Sequence, residues 1–161
     1  MITEIFRMFR RRIGVGVVLA VFALGAVACG HTGKVHEIVL LNTNDSHGSI
    51  LPVDSIGGMA ERATFIREVR EQNPDVLLVD AGDINAGQPI SNMADALPDI
   101  VSYNYMKYDA VTAGNHEFDK PINVLLKQMK EADFPFVVSN VEMNGKLLGE
   151  EYLVKQVDGI K

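Results

Sequence analysis

Val111-Thr112-Ala113-Gly114-Asn115-His116-Glu117-Phe118-Asp119 is the stretch on which the fold turns, because an apolar run stops there and polar or ionisable groups crowd in behind it. Asp109 to Ala113 reads as a short buried strand, and Gly114 lets the backbone turn tightly so that the next side chains project from the strand's end. Asn115 offers an amide oxygen, His116 an imidazole and Asp119 a carboxylate able to orient that imidazole. Such groups suit a hard or borderline cation and a general acid. Taken alone, the stretch also reads as a polar loop capping the next helix. The strand ends that precede it argue for chemistry.

His36 to Thr43 is a strand pattern that runs into Asn44-Asp45-Ser46-His47-Gly48. In an extended segment residues two apart share a face, so Asp45 and His47 are expected to point the same way as ligands for one cation. Asp75 to Asp80 is another buried strand, ending in Ala81-Gly82-Asp83. Open α/β sheets bind ligands in the crevice outside the carboxyl ends of their strands, so all these groups can reach one site. Glu117 is expected to brace the loop rather than bind metal, and Asn44 and Ser46 to shape theirs.

Helical spacing separates the strands. Met59, Ala63, Ile66 and Val69 form an apolar stripe over residues 59–71, with Glu61, Arg62, Arg67, Glu68, Arg70 and Glu71 as a solvated face. A second helical region, 92–106, restarts around Pro98, with Met93, Ala96, Leu97, Ile100, Val101 and Tyr105 on its apolar side. Pro121 opens a third helix to about Glu131, with Ile122, Leu125, Leu126 and Met129 facing inward. Phe134 to Val138 is a fourth strand. Alternation of this kind predicts an α/β fold with a mostly parallel sheet flanked by helices. Glu151 to Val157 alternates like an edge strand and Asp158-Gly159 signals a hairpin whose second strand is missing. The sequence therefore reads as the front part of a longer protein.

At 161 residues and 47% apolar content the chain has material for one ordinary domain. Its net charge of −6 and lack of a basic stripe argue against nucleic-acid binding. Residues 1–28 read as a signal peptide: Arg7, Arg10, Arg11 and Arg12 precede an apolar run from Ile13 to Ala28, too short to span a bilayer comfortably. Setting aside its four arginines and Glu4 leaves 11 basic and 20 acidic residues, a net charge of −9. Ala26-Val27-Ala28 is a small-residue cleavage pattern, and Cys29, the sole cysteine, follows at once. Ala28-Cys29 resembles a bacterial lipoprotein processing site, with ordinary cleavage after Ala28 as the alternative. Residues 29–35 then form a tether, 36–161 the domain, and the membrane is met only through a lipid on Cys29. Either route places the protein in the bacterial cell envelope, lipid-anchored or periplasmic. A lone cysteine leaves core packing, and metal, to hold the domain together.

Together, Asn44-Asp45-x-His47-Gly48, Gly57-Gly58-Met59-Ala60, Gly82-Asp83, Tyr108-Asp109-Ala110 and Gly114-Asn115-His116-Glu117-Phe118-Asp119 resemble, in order and spacing, the calcineurin-like metallophosphoesterase superfamily and its exported 5'-nucleotidase family. The resemblance runs from about Glu37 to the end of the chain and implies part of a metallophosphoesterase sandwich. It implies two divalent metal ions, manganese, zinc or similar, with Asp45 and His47 on the first, Asp83 bridging and Asn115 on the second. It implies that His116 is catalytic and contacts the phosphoryl group beside Asn115, held in its tautomer by Asp119. The implied substrate is a nucleotide or other phosphate ester. Family members take further ligands and a nucleoside-binding domain from later sequence, which this chain does not contain, so the polypeptide alone is expected to be inactive or nearly so. The competing reading is a non-catalytic envelope lipoprotein, or interrupted gene product, with a partial metal site. A zinc peptidase is disfavoured because there is no His-Glu-x-x-His segment.

Overall fold

The computed structural model describes residues 35–161, and every element below lies in the compact unit Glu37–Lys161. The signal peptide expected over 1–28, Cys29 and the start of the tether lie outside the described residues. Strands β1 (Val39–Thr43), β2 (Val76–Asp80) and β3 (Ala110–Val111) form a parallel sheet in the order β1-β2-β3. Their register places Thr43 beside Asp80 and Asp80 beside Val111, so the three chains emerge from the sheet at one edge. The expected fourth strand is reduced to a parallel bridge between Val111 and Phe136. Val111 N donates to Pro135 O and Val137 N to Val111 O, but Pro135 has no N–H to extend the ladder.

Helices α1 (Met59–Gln72), α2 (Pro89–Asn92), α3 (Leu97–Met106) and α4 (Ile122–Glu131) complete the α/β architecture, with α1 packed on α3 and α3 on α4. Leu78, Val111, Ile66, Ile100, Tyr103 and Leu125 are central to the core. The α1 stripe is buried as expected at Met59 and Ile66. The stripe expected over 92–106 holds only in part: Ala96 and Ile100 are buried and Tyr103 and Met106 join them, whereas Met93, Val101 and Tyr105 are 88%, 65% and 74% exposed. Asp95 and Ala96 both take left-handed backbone conformations, which break the helix after α2 and reset its phase. On α4, Leu125 is buried, but Ile122 and Leu126 are exposed and the polar Gln128 is buried in their place.

Two further departures concern the tail. Residues 151–157 form no strand, although the Asp158-Gly159 turn does form, with Val157 and Ile160 exchanging backbone hydrogen bonds of 2.9 Å and positive φ at both central residues. Side chains at the amino ends of β2 and β3 tie this tail down: Asp75 accepts from Asp158 N at 3.1 Å and Asp109 pairs with Lys155 at 2.8 Å. A short hairpin of β4 (Glu142–Met143) and β5 (Lys146–Leu147), turned by Asn144 and Gly145 at positive φ, is absent from the sequence reading above. Asn-Gly is the hairpin signal that marks it.

Candidate metal centre

After β1 the chain leaves the extended conformation that would have put Asp45 and His47 on one face. Asp45, His47 and Gly48 all have positive φ, at 49°, 45° and 61°. The two side chains meet all the same, Asp45 Oδ1 lying 3.6 Å from His47 Nε2. Left-handed backbone at two non-glycine residues persists only where the surroundings hold it. A backbone ladder supplies that hold: Ala81 N donates to Thr43 O, Asp45 N to Gly82 O, His47 N to Asp83 O and Gly48 N to Ile84 O, at 2.8–3.0 Å. The loop after β1 is thereby zippered to the loop after β2. Gly82, at φ 94°, is needed at this crossing, since a Cβ there would sit 2.4 Å from Gly114 N.

The third loop is bound in by Glu117. Its carboxylate, 1% exposed, accepts from the backbone N–H groups of Asp83, Ile84, Asn85 and Gly114 at 2.6–3.0 Å. This is the expected brace, and its reach is wide, since one side chain fixes the turns after β2 and β3 together. Asp83 Oδ1 in return accepts from His116 N at 2.9 Å. Gln128 and Asn85 exchange amide hydrogen bonds behind the turn, and Gln128 also donates to Asp95 O. That contact explains why a polar residue on α4 is buried.

These constraints bring one donor atom each of His47, Asp83 and His116 within 4.8 Å of one another. The two imidazole rings meet edge to face, with centroids 4.9 Å apart. In each ring Nδ1 is occupied, at 3.3 Å from Asn85 O for His47 and 2.6 Å from Asp119 Oδ2 for His116. A proton on each Nδ1 satisfies both contacts and leaves both Nε2 atoms as free donors, the arrangement typical of metal-ligating histidines. The hydrogen bond to Asp119 raises the His116 pKa, and the Asp83 and Glu117 charges add to it. Asp83 with the two imidazoles is a donor set that fits a borderline divalent cation such as zinc or manganese, and Asp45, outside that group of three, adjoins it through the 3.6 Å approach to His47 Nε2. His116, expected at the phosphoryl group, lies within the same donor cluster. Asn115 is exposed on the adjoining turn, and among the described residues no hydrogen bond holds its amide. Asn44 Nδ2 donates to Asp45 Oδ2, consistent with a loop-shaping role.

Behind the site lies a buried polar network with no local sequence signature. Asp80 Oδ2 accepts from Tyr103 Oη and Thr43 Oγ1, and Asp80 Oδ1 from Gly82 N. Burial raises the Asp80 pKa while these hydrogen bonds oppose the rise. Arg62, expected on a solvated face, instead turns inward to Ser46 Oγ at 2.8 Å and Tyr103 Oη at 3.2 Å. Arg70 likewise leaves the solvated set to cap α3 through the carbonyls of Met106 and Lys107.

The fold and the cluster describe an α/β protein with a candidate cation site at the carboxyl ends of a parallel sheet. Residues 38–157 match the calcineurin-like phosphoesterase family, and the chain belongs to it. The 5'-nucleotidase of Vibrio cholerae is 41% identical over 136 residues, which are 80% of this chain and 24% of that protein. Protein UshA of Yersinia enterocolitica is 36% identical over 147 residues, 87% of this chain and 27% of that one. The solved 5'-nucleotidase precursor of Thermus thermophilus is similar at a TM-score of 0.70 and 31% identity, covering 76% of this chain and 26% of its own. The chain thus spans about a quarter of the length of these relatives. Among the described residues no helix is long and apolar enough to cross a membrane.

Proposed function

We propose that this chain is the front part of the catalytic domain of an exported bacterial phosphoesterase of the 5'-nucleotidase type, which hydrolyses phosphate esters of nucleotides. The observation that carries the reading is the convergence of His47, Asp83 and His116 donors within 4.8 Å, with Asp45 against His47. Asp45, His47 and Asp83 would hold a first divalent cation, and Asn115 would contribute to a second. Bound divalent cations supply Lewis acidity toward phosphoryl oxygens and lower the pKa of the attacking water. His116 places Nε2 against a phosphoryl oxygen and stabilises the charge that builds there, while Asp119 keeps the ring oriented and its proton on Nδ1. Water adds to phosphorus, the ester P–O bond breaks, and the departing alkoxide takes up a proton. The nucleotide substrate is supported by the relatives that carry the 5'-nucleotidase name.

Export and attachment at the cell envelope rest on the arginine-rich leader and on Ala28-Cys29. With His116 at the phosphoryl group, three side-chain donors remain for the first cation and one, Asn115, for the second, which suits about one borderline ion rather than two. The polypeptide of 161 residues is therefore expected to bind one divalent ion and to turn over slowly or not at all. The same donor count favours the second reading, a non-catalytic cation-binding lipoprotein. Calorimetric titration of the chain with Mn2+, followed by phosphate release from nucleoside monophosphates, tests both. Binding of one ion that Asp83→Asn abolishes is the expected result. Absence of binding overturns the metal centre, and turnover at rates of 1–10³ s⁻¹, as is typical of enzymes, overturns the expectation of a silent fragment.

A further inference from the structure

The network behind the metal centre has a direction that can be worked out from its protons. Asp80, as a carboxylate, can only accept, so Tyr103 Oη donates to Asp80 Oδ2 at 2.8 Å. The phenol's single proton is then committed, and Ser46 Oγ, 2.8 Å away, must donate to it. Ser46, its own proton used, accepts from Arg62 Nη1 at 2.8 Å. Arg62 Nη1 also donates to Tyr103 Oη at 3.2 Å, so the guanidinium feeds both hydroxyls of a one-way path that runs from Ser46 through Tyr103 to Asp80. Ser46, Tyr103 and Asp80 are 3%, 0% and 4% exposed, so water cannot substitute for a lost link.

What the chain connects gives it consequence. Ser46 lies between Asp45 and His47, both in left-handed backbone, and Asp80 heads the Asp80-Ala81-Gly82-Asp83 turn, whose Gly82 N it also accepts. Tyr103 stands on α3, outside both loops, with its ring stacked on Tyr108 at 4.1 Å between centroids. We propose that Tyr103 is a positioning residue for the cation site, its hydroxyl locking the Asp45–His47 loop to the Asp83 loop so that the ligands are held ready for the ion. This rests on the metal-centre reading above and adds to it a residue that contacts neither ion nor substrate.

Tyr103→Phe removes the hydroxyl and keeps the stacked ring. In the full chain, Mn2+ affinity, measured well below the melting temperature, is expected to fall about tenfold or more, the usual cost of losing a partner behind a metal ligand. Ser46→Ala is expected to do the same, and the double variant to lose little beyond either, because both remove the Ser46–Tyr103 hydrogen bond that joins the two loops. Tyr108→Phe removes a hydroxyl that reaches Asp80 only through Thr43 and makes no bond to Ser46, so it should change affinity less than about threefold. Melting of the EDTA-treated proteins separates stability from positioning. A lower melting temperature with unchanged Mn2+ affinity makes Tyr103 a core residue and overturns the proposal, as do multiplicative losses in the double variant or a Tyr108→Phe loss equal to that of Tyr103→Phe. Should Tyr103→Phe fail to fold, Ser46→Ala is judged by the same affinity criterion. Wild-type protein that binds no Mn2+, or Asp83→Asn that binds as wild type does, overturns the metal centre and the positioning role with it.

Discussion

The two faces of the three-stranded sheet come from the same strands and meet opposite fates. On the face toward the helices Leu78 and Val111 are 0% and 1% exposed, whereas on the other Leu40 is 63% exposed. That outer face carries a groove of about 580 Å³, lined by Leu77, Val79, Ala110, Val137, Leu153 and Val154 among others, and none of the candidate ligands lines it. At the carboxyl edge, by contrast, three loops are interlocked by a backbone ladder, by Glu117 and by the Tyr103 network. Precision is concentrated where donors must converge, which is how a preorganised site differs from mere packing.

The strongest way to break that contrast is at Glu117. Glu117→Gln removes one acceptor and turns an NH2 toward backbone N–H groups that have no other partner among the described residues. Each buried donor left unsatisfied costs about 1–3 kcal/mol, so the loss should be roughly 4 kcal/mol or more. Urea denaturation reads it directly, and against a typical total of about 5–15 kcal/mol the variant stands near the limit of folding. Gly82→Ala should follow, at roughly 3 kcal/mol, since a Cβ at φ 94° meets Gly114 N at 2.4 Å. A smaller loss there would mean that the crossing of the two loops gives way more easily than its ladder implies.

Buried polar groups on the helix side offer a sharper test, because Asp99 is completely buried and its Oδ1 has no hydrogen-bond partner among the described residues. Burial pushes its carboxyl up to about 6 from 3.8, against the opposing hydrogen bond from Ser91. A carboxyl with a raised folded-state pKa binds its proton more tightly in the fold. Its contribution is therefore intact below about pH 4 and is lost as pH climbs to about 6, then stays constant. By linkage the loss is at most about 3 kcal/mol. Subtracting the stability of Asp99→Asn from that of wild type across pH 4–7 cancels the other titrations, and the difference should fall over that window. A flat difference would place Asp99 in contact with water.

The first strands and the loops that carry the candidate ligands were legible in the sequence because both signals are local. Apolar runs mark β1 and β2, and Asp45, His47, Gly82-Asp83 and Gly114 to Asp119 stand directly at strand ends. The phase of α3 was not legible, since the break before it depends on left-handed Asp95 and Ala96, and alanine gives no warning of that conformation. Nor was the Arg62–Ser46–Tyr103–Asp80 chain, whose members are joined by tertiary contact across three elements. Arg62 looks like any surface arginine until α3 places Tyr103 beside it. The tail read as a strand because alternation fixes which side chains share a face, but backbone pairing requires a neighbour.

The smallest effect is expected on the outer face. Leu40 lies in the middle of β1, yet its side chain stands mostly in solvent, so little apolar burial is lost when it is replaced. Exposed positions away from caps and networks change stability by about 0.5 kcal/mol or less. Leu40→Lys should therefore melt within a few degrees of wild type and keep its Mn2+ affinity. Contiguous apolar surface promotes association, so the same substitution should raise the concentration at which the chain stays monomeric in sedimentation. A stability loss of about 2 kcal/mol or more, the size of a buried leucine's contribution, would show that the face is covered in solution and would erase the contrast between the sheet's two sides.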